Sequence, residues 1–284
     1  MKRKIAIQGV LGSNHYIASI SIFKNGKLEF IDCDTFKYLA RLVKKDPTVL
    51  GVMAIENTIV GSILPNYNLI KENDLVIVGE YKLRIEHALV AMKGVEISQI
   101  REINSHPMAL MQCEEYLESL PNIKIVEKED TADSARWIKT NGLKEHAAIC
   151  PAACAEIYDM QILANGIETS KRNFTRFLIL ANKTVAKQIL RELHYDDNSD
   201  DNYLTKSSLV FTLPHSSGSL SKVLSILSFY DMNLTMIQSL PLVGEEWHYQ
   251  FFINLSYSDY DRYRKAIDAI LPLCKEFKIL GEYN

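Results

Sequence analysis

The chain has 284 residues, of which 47% are hydrophobic and 24% charged, and its formal net charge is -3. This balance is typical of a globular protein of one to three domains, and it argues against a nucleic-acid-binding surface or a polybasic membrane anchor. The apolar run that follows Met1–Lys4 is too short for a signal peptide. Five scattered cysteines without a C-x-x-C pair indicate reduced thiols, so we expect a cytoplasmic protein. From the net charge we expect that it binds neither nucleic acid nor membrane.

The first two thirds of the chain alternate strand-like and helix-like segments. Val49–Ile55 is a continuous apolar run, typical of a strand that is buried on both faces. In chain order, strands are predicted at Lys4–Gln8, Val49–Ile55, Leu75–Val78, Leu83–Ala91, Ile123–Val126, Ala147–Cys150 and Thr175–Leu180. Helices are predicted after the Gly9–Ser13 turn, after Ser105-His106-Pro107, over Thr131–Lys139 and over Pro151–Tyr158. The alternation predicts an α/β architecture with mainly parallel sheets.

The composition changes at Asp196–Asn202, an acidic stretch without apolar residues that we interpret as a linker. The segments that follow are predicted as a strand, a helix, two strands, a helix and a strand, namely Ser208–Leu213, Gly218–Phe229, Leu234–Leu242, His248–Tyr257, Asp259–Leu271 and Glu276–Gly281. This βαββαβ order is that of a ferredoxin-like unit. Two helices on one face of such a sheet leave its other face, or an edge, free for a partner.

Polar clusters stand at the ends of two apolar strands. Asn173–Arg176 opens the strand that runs on to Leu180, and Glu56–Thr58 follows the strand Val49–Ile55. A buried strand does not need amide, hydroxyl and guanidinium groups together at its end. Such clusters indicate a cleft that binds a small anionic molecule.

These clusters belong to a set of motifs that occur in a known order. The matching segments are Ile7–Ser13 (a glycine turn), Ala54–Ser62 (P-V/I-E-N-S-x-x-G), Ser105–Cys113 (S-H-P-Q-A-L-x-Q-C), Asp130–Ala135 (D-T-A-x-A-A) and Asn173–Phe177 (N-x-T-R-F). The chain resembles the monofunctional prephenate dehydratase family over nearly its whole length, and its tail resembles the ACT regulatory domain that usually follows. One difference is Asn14-His15 in the glycine turn, where an aromatic residue and a small hydroxyl residue are usual.

The resemblance implies a catalytic domain built like a type 2 periplasmic binding protein, in which two α/β lobes enclose the substrate. We expect the catalytic domain at 1–186, with lobes near 1–78 plus 162–186 and near 79–161. A linker at 187–204 and an ACT domain at 205–284 would follow.

The implied reaction is the decarboxylative dehydration of prephenate to phenylpyruvate, which needs no cofactor and no metal. The resemblance and the chemistry of the side chains suggest Thr175, Asn57 and Glu56 as catalytic residues. Candidate substrate-binding residues are Gly12, Ser13, Thr58, Gln112, Thr131, Ser134, Arg176 and Phe177. Because neighbours on a strand point to opposite faces, Thr175 and Arg176 can both face the cleft only if the strand bends there. His106 is interpreted as a structural helix-entry residue, and His15 and His87 show no nucleophile or metal spacing.

The tail departs from the family pattern. ACT domains of this family bind phenylalanine through a G-A-L helix start and an E-S-R-P strand motif, and this chain has Gly218–Leu220 and Gln238–Pro241. The effector site implied by the resemblance comprises His215, Gly218, Ser219 and Leu220, with L-phenylalanine as effector and a homodimer or homotetramer formed through the ACT domains. Two alternatives stay open: an arogenate dehydratase, and a non-catalytic sensor of prephenate or an amino acid.

Overall fold

A computed structural model describes residues 2–24, 26–194, 204–242, 244 and 248–284. They form two compact units. The first comprises Met1–Leu39, Gly51–Ile63 and Tyr81–Phe177, and the second Ala40–Leu50, Leu64–Glu80 and Leu178–Asn284. The helices are α1 Asn14–Ile22, α2 Phe36–Lys45, α3 Leu64–Glu72, α4 Pro107–Gln112, α5 Glu114–Glu118, α6 Thr131–Asn141, α7 Ala153–Ile157, α8 Ala186–His194, α9 Ser219–Phe229 and α10 Tyr260–Ile270.

One sheet carries both polar clusters at strand ends. Its strands are β1 Arg3–Gln8, β2 Leu28–Cys33, β3 Val49–Asn57, β4 Gly61–Ser62, β5 Leu75–Arg84 and β11 Phe174–Asn182. They follow the order β2-β1-β3-β11-β5, and β4 pairs with β3. The end of β3 and the start of β11 are joined by the hydrogen bond from Thr58 N to Phe174 O (2.9 Å). The two polar clusters are therefore neighbours in space.

The second sheet lies in the first unit and is mixed. Its strands are β6 Ala88–Ala91, β7 Glu102–Ser105, β8 Lys124–Glu127, β9 His146–Cys150 and β10 Gln161–Asn165, in the order β10-β6-β9-β7-β8. β9, β7 and β8 are parallel, whereas β6 is antiparallel to β9 and to β10. Helix α6 begins at the Asp130 cap and ends at Gly142 in a left-handed conformation (φ 61°). The predicted α/β architecture is confirmed, with more antiparallel pairing than expected.

The single strand predicted over Leu83–Ala91 is wrong. The chain leaves the first sheet after Arg84 and enters the second at Ala88. At the crossing, Ile85 N donates to Asn173 O (2.8 Å) and His87 N donates to the carboxylate of Glu168 (3.0 Å). These bonds use backbone groups that a continuous strand would have paired with a neighbouring strand.

The C-terminal part of the second unit follows the predicted βαββαβ order. Its strands are β12 Lys206–Thr212, β13 Asn233–Pro241, β14 Tyr249–Ser256 and β15 Glu276–Tyr283, with α9 and α10 between them. They form an antiparallel sheet in the order β13-β14-β12-β15. Apolar side chains of α9 and α10, including Val223, Tyr263 and Ile267, pack with those of the strands into one core. The predicted ferredoxin-like order is present, and we call residues 204–284 the C-terminal module.

The other face of this sheet is covered by the same chain. Helix α3 contributes Tyr67, which is 1% exposed and accepts a hydrogen bond from Asn254 Nδ2 (3.1 Å). Lys71 Nζ donates to Gln250 Oε1 (2.8 Å). Gly281 of β15 lies directly against Ile77 of β5. The expectation that this face is free for a partner is therefore wrong, because polar and aromatic groups of α3 already occupy it.

The predicted linker at 187–204 is described in part. Helix α8 occupies Ala186–His194, and the acidic stretch Asp196–Asn202 lies outside the described residues. The domain and lobe boundaries given above remain predictions. Among the described helices, none has the length and apolar character needed to cross a membrane.

Candidate active site

A cavity of about 280 Å³ opens in the first unit, where strand ends and helix starts meet. Polar side chains from strands of the first sheet, and from loops and helices that adjoin strands of the second sheet, line it together with apolar groups. The lining residues are Gln8, Ser13, Asn14, His15, Phe36, Ala54, Asn57, Val60, Ile63, Ile85, His87, His106, Met108, Ala109, Gln112, Glu129, Asp130, Thr131, Thr175 and Phe177. The predicted cleft is thus present, and it contains several of the predicted site residues.

Asn57 is held in one orientation by the turn that follows β3. Its Oδ1 accepts hydrogen bonds from the backbone N–H groups of Ile59 (2.9 Å) and Val60 (3.1 Å), which form an Asx turn. Because an N–H group can only donate, the carbonyl oxygen must face this turn and the amide nitrogen must face β11. There Nδ2 lies 2.7 Å from Asn173 Oδ1 and 3.0 Å from Thr175 Oγ1.

This orientation sets the direction of the Thr175 hydroxyl. Thr175 Oγ1 accepts from Asn57 Nδ2, so its own proton must point elsewhere. Within the described part of the chain, no acceptor contacts that hydroxyl. Thr175 lines the cleft, as does Phe177 two residues later on the same face of β11. The Thr175 hydroxyl is therefore available to donate to a molecule in the cleft.

Arg176 points away from the cleft, as the alternation along a strand predicts. Its Nε lies 3.1 Å from Glu56 Oε2, and the Arg176 side chain is 11% exposed. Neither residue belongs to the cleft lining. The structure thus brings Glu56 and Arg176 together as an ion pair beside the site, and their catalytic and substrate-binding roles remain predictions.

Thr58 joins two segments instead of lining the cleft. Its Oγ1 donates to Arg172 O (3.2 Å) and accepts from Phe174 N (3.0 Å). With the backbone bond to Phe174, these contacts fix the start of β11 against the end of β3. Thr58 therefore positions the strand that carries Thr175.

The glycine turn brings Ser13 to the cleft. Ser13 is 2% exposed, lines the cavity and caps α1 by accepting from Tyr16 N (3.3 Å). Gly12 has a φ of +88°, and its carbonyl oxygen accepts from the Cys154 thiol (3.4 Å). A side chain at Gly12 would come within 2.8 Å of that sulfur. Gly12 therefore lets the turn approach α7 and does not itself line the cleft.

Three further predicted residues come from α4 and α6. Thr131 lines the cleft at the first position of α6, and Gln112 lines it at the end of α4. Ser134 is 2% exposed and donates to Asp130 O (2.7 Å), so it stabilises the first turn of α6 and is absent from the lining set. Thr131 and Gln112 are therefore the predicted contributions of this side of the cleft.

Histidines line the cleft without having been predicted as site residues. His87 is 2% exposed, and its Nε2–H donates to Gln112 Oε1 (2.9 Å). Burial lowers the pKa of His87 despite opposing effects from Gln112 and Glu168, so the ring is neutral at pH 7. His106 accepts from Met108 N through Nδ1 (3.2 Å), which is the predicted helix-entry role, and it also lines the cavity.

The charge of the cleft is unusual for a site that binds an anion. Glu129 and Asp130 line it, whereas none of the described lining residues is lysine or arginine. Burial raises the pKa of Asp130, although hydrogen bonds from Asp133 N and Ala132 N oppose this shift. Helix α1 carries a neutral Ser13 cap and no acidic residue in its first turn. Its N-terminus therefore contributes positive potential at the cleft.

A second, smaller cavity of about 140 Å³ lies in the C-terminal module. Three of the four predicted effector residues line it, namely His215, Ser219 and Leu220, and Gly218 caps α9 with a φ of +78°. His248 and Tyr249 line it as well. The ring centroids of His215 and His248 lie 5.9 Å apart.

Comparison with known proteins gives the family. A family model described as prephenate dehydratase matches residues 5–185. Arogenate dehydratase 1 from Petunia hybrida is 33% identical over 296 residues, which cover 99% of this chain and 66% of that protein, so the chain spans about two thirds of this relative. The solved prephenate dehydratase from Staphylococcus aureus subsp. aureus Mu50 has a TM-score of 0.80 and 25% identity and covers both chains completely.

A further solved structure shares the fold. It is a prephenate dehydratase from Arthrobacter aurescens in complex with L-Phe, with a TM-score of 0.84 and 24% identity, covering 99% of this chain and 89% of that one. The family model spans more than half of this chain, and it includes the Asn57–Thr175 pair and the cleft around it. The protein therefore belongs to the prephenate dehydratase family of carbon–oxygen lyases.

Proposed function

We propose that the protein converts prephenate to phenylpyruvate, carbon dioxide and water in the biosynthesis of L-phenylalanine. In this reaction the bond between the ring and its carboxylate breaks, and its electron pair completes the aromatic ring. The ring carbon–oxygen bond breaks at the same time, and the leaving hydroxide takes up one proton from the solvent to become water. Aromatisation supplies the driving force, so the enzyme has to bind the substrate and assist the departing oxygen.

The observation that carries the proposal is the hydrogen bond from Asn57 Nδ2 to Thr175 Oγ1 (3.0 Å) at the cleft. It leaves the Thr175 proton free to donate to the leaving hydroxyl of the substrate. The same bond stabilises negative charge that develops on Thr175 Oγ1 when its proton is drawn toward the substrate. A threonine hydroxyl is too weak an acid to ionise fully, so Thr175 acts as a hydrogen-bond donor that stabilises the departing oxygen.

The N-terminus of α1 suits one of the substrate carboxylates. Ser13 lines the cleft, and the first turn of α1 offers backbone N–H groups with a positive dipole end. Binding through a helix dipole, instead of an arginine, also suits the chemistry. A full positive charge beside the departing carboxylate would stabilise that carboxylate in the ground state and slow decarboxylation.

The test is to follow phenylpyruvate absorbance with the purified protein and prephenate. The wild type is expected to turn over, and Thr175→Ala is expected to lower kcat by about 10²–10³ with an unchanged fold, the effect of losing one transition-state donor. Wild-type turnover in Thr175→Ala would remove Thr175 from the mechanism. Binding of prephenate without any product would favour the non-catalytic sensor.

Arogenate is the second candidate substrate, and a specific feature of the cleft favours it. Arogenate carries an ammonium group where prephenate has a keto group, and Glu129 places an exposed carboxylate in the cleft lining. The Petunia hybrida relative is itself named an arogenate dehydratase. Parallel rates on prephenate and arogenate decide between the substrates. Glu129→Gln should lower the preference for arogenate, and an unchanged ratio of kcat/KM values would argue against this contact.

We also propose that the C-terminal module is an ACT domain that binds L-phenylalanine in the cavity lined by His215, Ser219 and Leu220. The proposal is supported by that cavity and by the fold shared with the Arthrobacter aurescens protein, which was solved with L-Phe. Ser219→Phe would fill the cavity, so it should abolish phenylalanine binding measured by calorimetry. Ser225→Phe, on the exposed side of α9, is the matched control. Equal affinity in both variants would refute this effector site.

Assembly into a homodimer or homotetramer and a cytoplasmic location remain parts of the proposal. The strand β13 ends the sheet of the C-terminal module, so an edge is the feature that supports assembly there. All five cysteines are free thiols, as is usual in a reducing compartment. Light scattering of the purified protein tests the oligomeric state.

A further inference from the structure

His15 lies in the cleft but has no part in the mechanism described so far. It is the second residue of α1 and is 8% exposed. The rings of His15 and Phe177 pack edge to face, with centroids 5.0 Å apart. The centroid of the Phe36 ring lies 5.5 Å from that of His15. Phe177 shares a strand face with Thr175. The imidazole of His15 is therefore packed beside the side of the cleft that carries the Thr175 hydroxyl.

The protonation of His15 is fixed by the backbone. The N–H group of Ala54 in β3 donates to His15 Nε2 (3.3 Å). Since that nitrogen must offer a lone pair, the single proton of the neutral ring sits on Nδ1. Burial lowers the pKa of His15 to about 3, so the ring stays neutral at every pH at which the protein would work.

The Nδ1–H group is open to the cleft. Within the described residues, the His15 ring makes no hydrogen bond other than the one to Ala54. His87 Nδ1 is fully buried and has no hydrogen-bond partner, whereas His15 Nδ1 is not fully buried. The latter is therefore accessible, and the ring that bears it lines the cavity.

We propose that His15 is a catalytic residue that donates a hydrogen bond from Nδ1 to the leaving hydroxyl of the substrate while remaining neutral. The inference rests on the function proposed above. His15 would act together with Thr175, so that two donors converge on the oxygen that gains negative charge. His15 does not transfer its proton, because the resulting imidazolate would be far less stable than the water it helps to form.

A neutral donor suits this reaction better than an imidazolium. A cationic ring at this place would attract the ring carboxylate as strongly as the leaving oxygen, and it would oppose decarboxylation. A neutral imidazole donates a directed hydrogen bond with little long-range field. The arrangement of Ala54 and the two phenylalanine rings favours that neutral form.

Two substitutions separate the roles of the two ring nitrogens of His15. Asn at position 15 places an amide N–H group near the position of Nδ1 and removes the acceptor for Ala54. Gln places its amide oxygen near the position of Nε2, so it keeps the bond from Ala54 and removes the donor. His15→Asn thus retains the proposed contact with the substrate, and His15→Gln retains the structural contact with β3.

The experiment compares kcat for prephenate and arogenate, together with thermal melting, in the wild type, His15→Asn and His15→Gln. We expect His15→Gln to lower kcat by about 10² while melting near the wild type, the effect of losing one oxyanion donor. His15→Asn should stay within about tenfold of the wild-type kcat, even if it melts earlier. The reverse order of the two kcat values, or wild-type kcat in both variants, would overturn the proposal.

Prephenate affinity distinguishes a wrong assignment of His15 from a wrong assignment of the enzyme's function. If the wild type turns over neither substrate, the proposed function fails, and prephenate affinity measured by calorimetry then tests His15. His15→Gln should weaken that affinity by about fivefold, the value of one neutral hydrogen bond, and His15→Asn should not. Equal affinity in the three proteins, or no binding to the wild type at all, would overturn the assignment of His15.

Discussion

At the scale of single residues, sequence motifs identified Thr175 and Asn57 but not the direction of the bond between them. That direction follows from the backbone N–H groups of Ile59 and Val60, which turn the Asn57 carbonyl oxygen away from Thr175. The sequence does not determine this direction, because the same residues could present the Asn57 amide in either orientation. Strand alternation allows Thr175 and Arg176 both to face the cleft only if the strand bends there, and in the structure only Thr175 lines the cleft.

The histidines of the cleft were the residues that sequence reasoning missed. His15 and His87 have no spacing that marks a nucleophile or a metal ligand, and they meet only because α1 and the β5–β6 crossing end at the same cavity. The one available signal was the unusual Asn14-His15 pair in the glycine turn. An isolated histidine in a sequence is compatible with many roles, so this pair does not specify that His15 lies in the cleft.

The lowered pKa of His15 makes the free energy of unfolding depend on pH. Its pKa in the folded protein, about 3, lies far below the ordinary value of 6.5, so the unfolded chain binds the additional proton. The free energy of unfolding should therefore fall as the pH drops below about 6.5. His15 alone contributes a loss of about 1 kcal/mol between pH 7 and pH 5.5.

Urea unfolding of the wild type and His15→Gln at several pH values between 7 and 5.5 measures this contribution. His87 acts in the same direction, since burial lowers its pKa as well, so the variant should keep a reduced slope and not a flat one. Identical slopes in the two proteins would show that the pKa of His15 is the same in the folded and unfolded states.

At the scale of elements, the long strands and helices were predicted and the crossings were not. Val49–Ile55 and Thr175–Leu180 lie within β3 and β11 because the apolar runs Val49–Ile55 and Phe177–Leu180 are typical of buried strands. The break between β5 and β6 was missed because Leu83 and Ile85 alternate with polar residues as in a strand. In the structure the N–H groups of Ile85 and His87 instead bond to Asn173 and Glu168. Local periodicity does not contain those distant partners.

The glycine turn offers a prediction at this scale. Gly12→Ala combines a left-handed backbone with a contact of 2.8 Å to the Cys154 sulfur, whereas Gly94→Ala has a similar φ of +79° and open space around it. The left-handed conformation costs about 1 kcal/mol in both. Gly12→Ala should therefore melt several degrees below Gly94→Ala and should also lose activity, because the turn carries Ser13. Equal melting temperatures would show that the turn shifts away from α7 without cost.

At the scale of the whole molecule, sequence reasoning separated a C-terminal module from the rest, and the structure adds what covers its sheet. Tyr67 and Asn254 are 187 residues apart in sequence and meet in a buried hydrogen bond. Tyr67 also lies against Phe252, with centroids 5.5 Å apart. Amphipathic patterns show that a face is apolar or polar, but they do not show which element of the same chain will cover it.

Gly281 tests this packing. A methyl group there would lie 2.2 Å from Ile77 O, a backbone atom that cannot rotate away. Gly281→Ala should therefore lower the melting temperature by several degrees, at about 2–4 °C for each kcal/mol in a protein of this size. Gly26→Ala is the matched control, since its nearest contact is the flexible Leu28 side chain at 3.4 Å. Equal melting of the two variants would show that β5 and β15 are not in contact in solution.

In the proposed function Asn57 orients the Thr175 hydroxyl toward the substrate, and the isosteric variant Asn57→Asp tests this role most directly. A carboxylate can still accept from Ile59 and Val60, but it cannot donate to Thr175, so the Thr175 proton would turn toward residue 57. We predict that kcat for phenylpyruvate formation falls by about 10²–10³. Asn182→Asp, which alters a similar Asx turn in the other unit, should retain wild-type kcat. Wild-type kcat in Asn57→Asp would contradict the account.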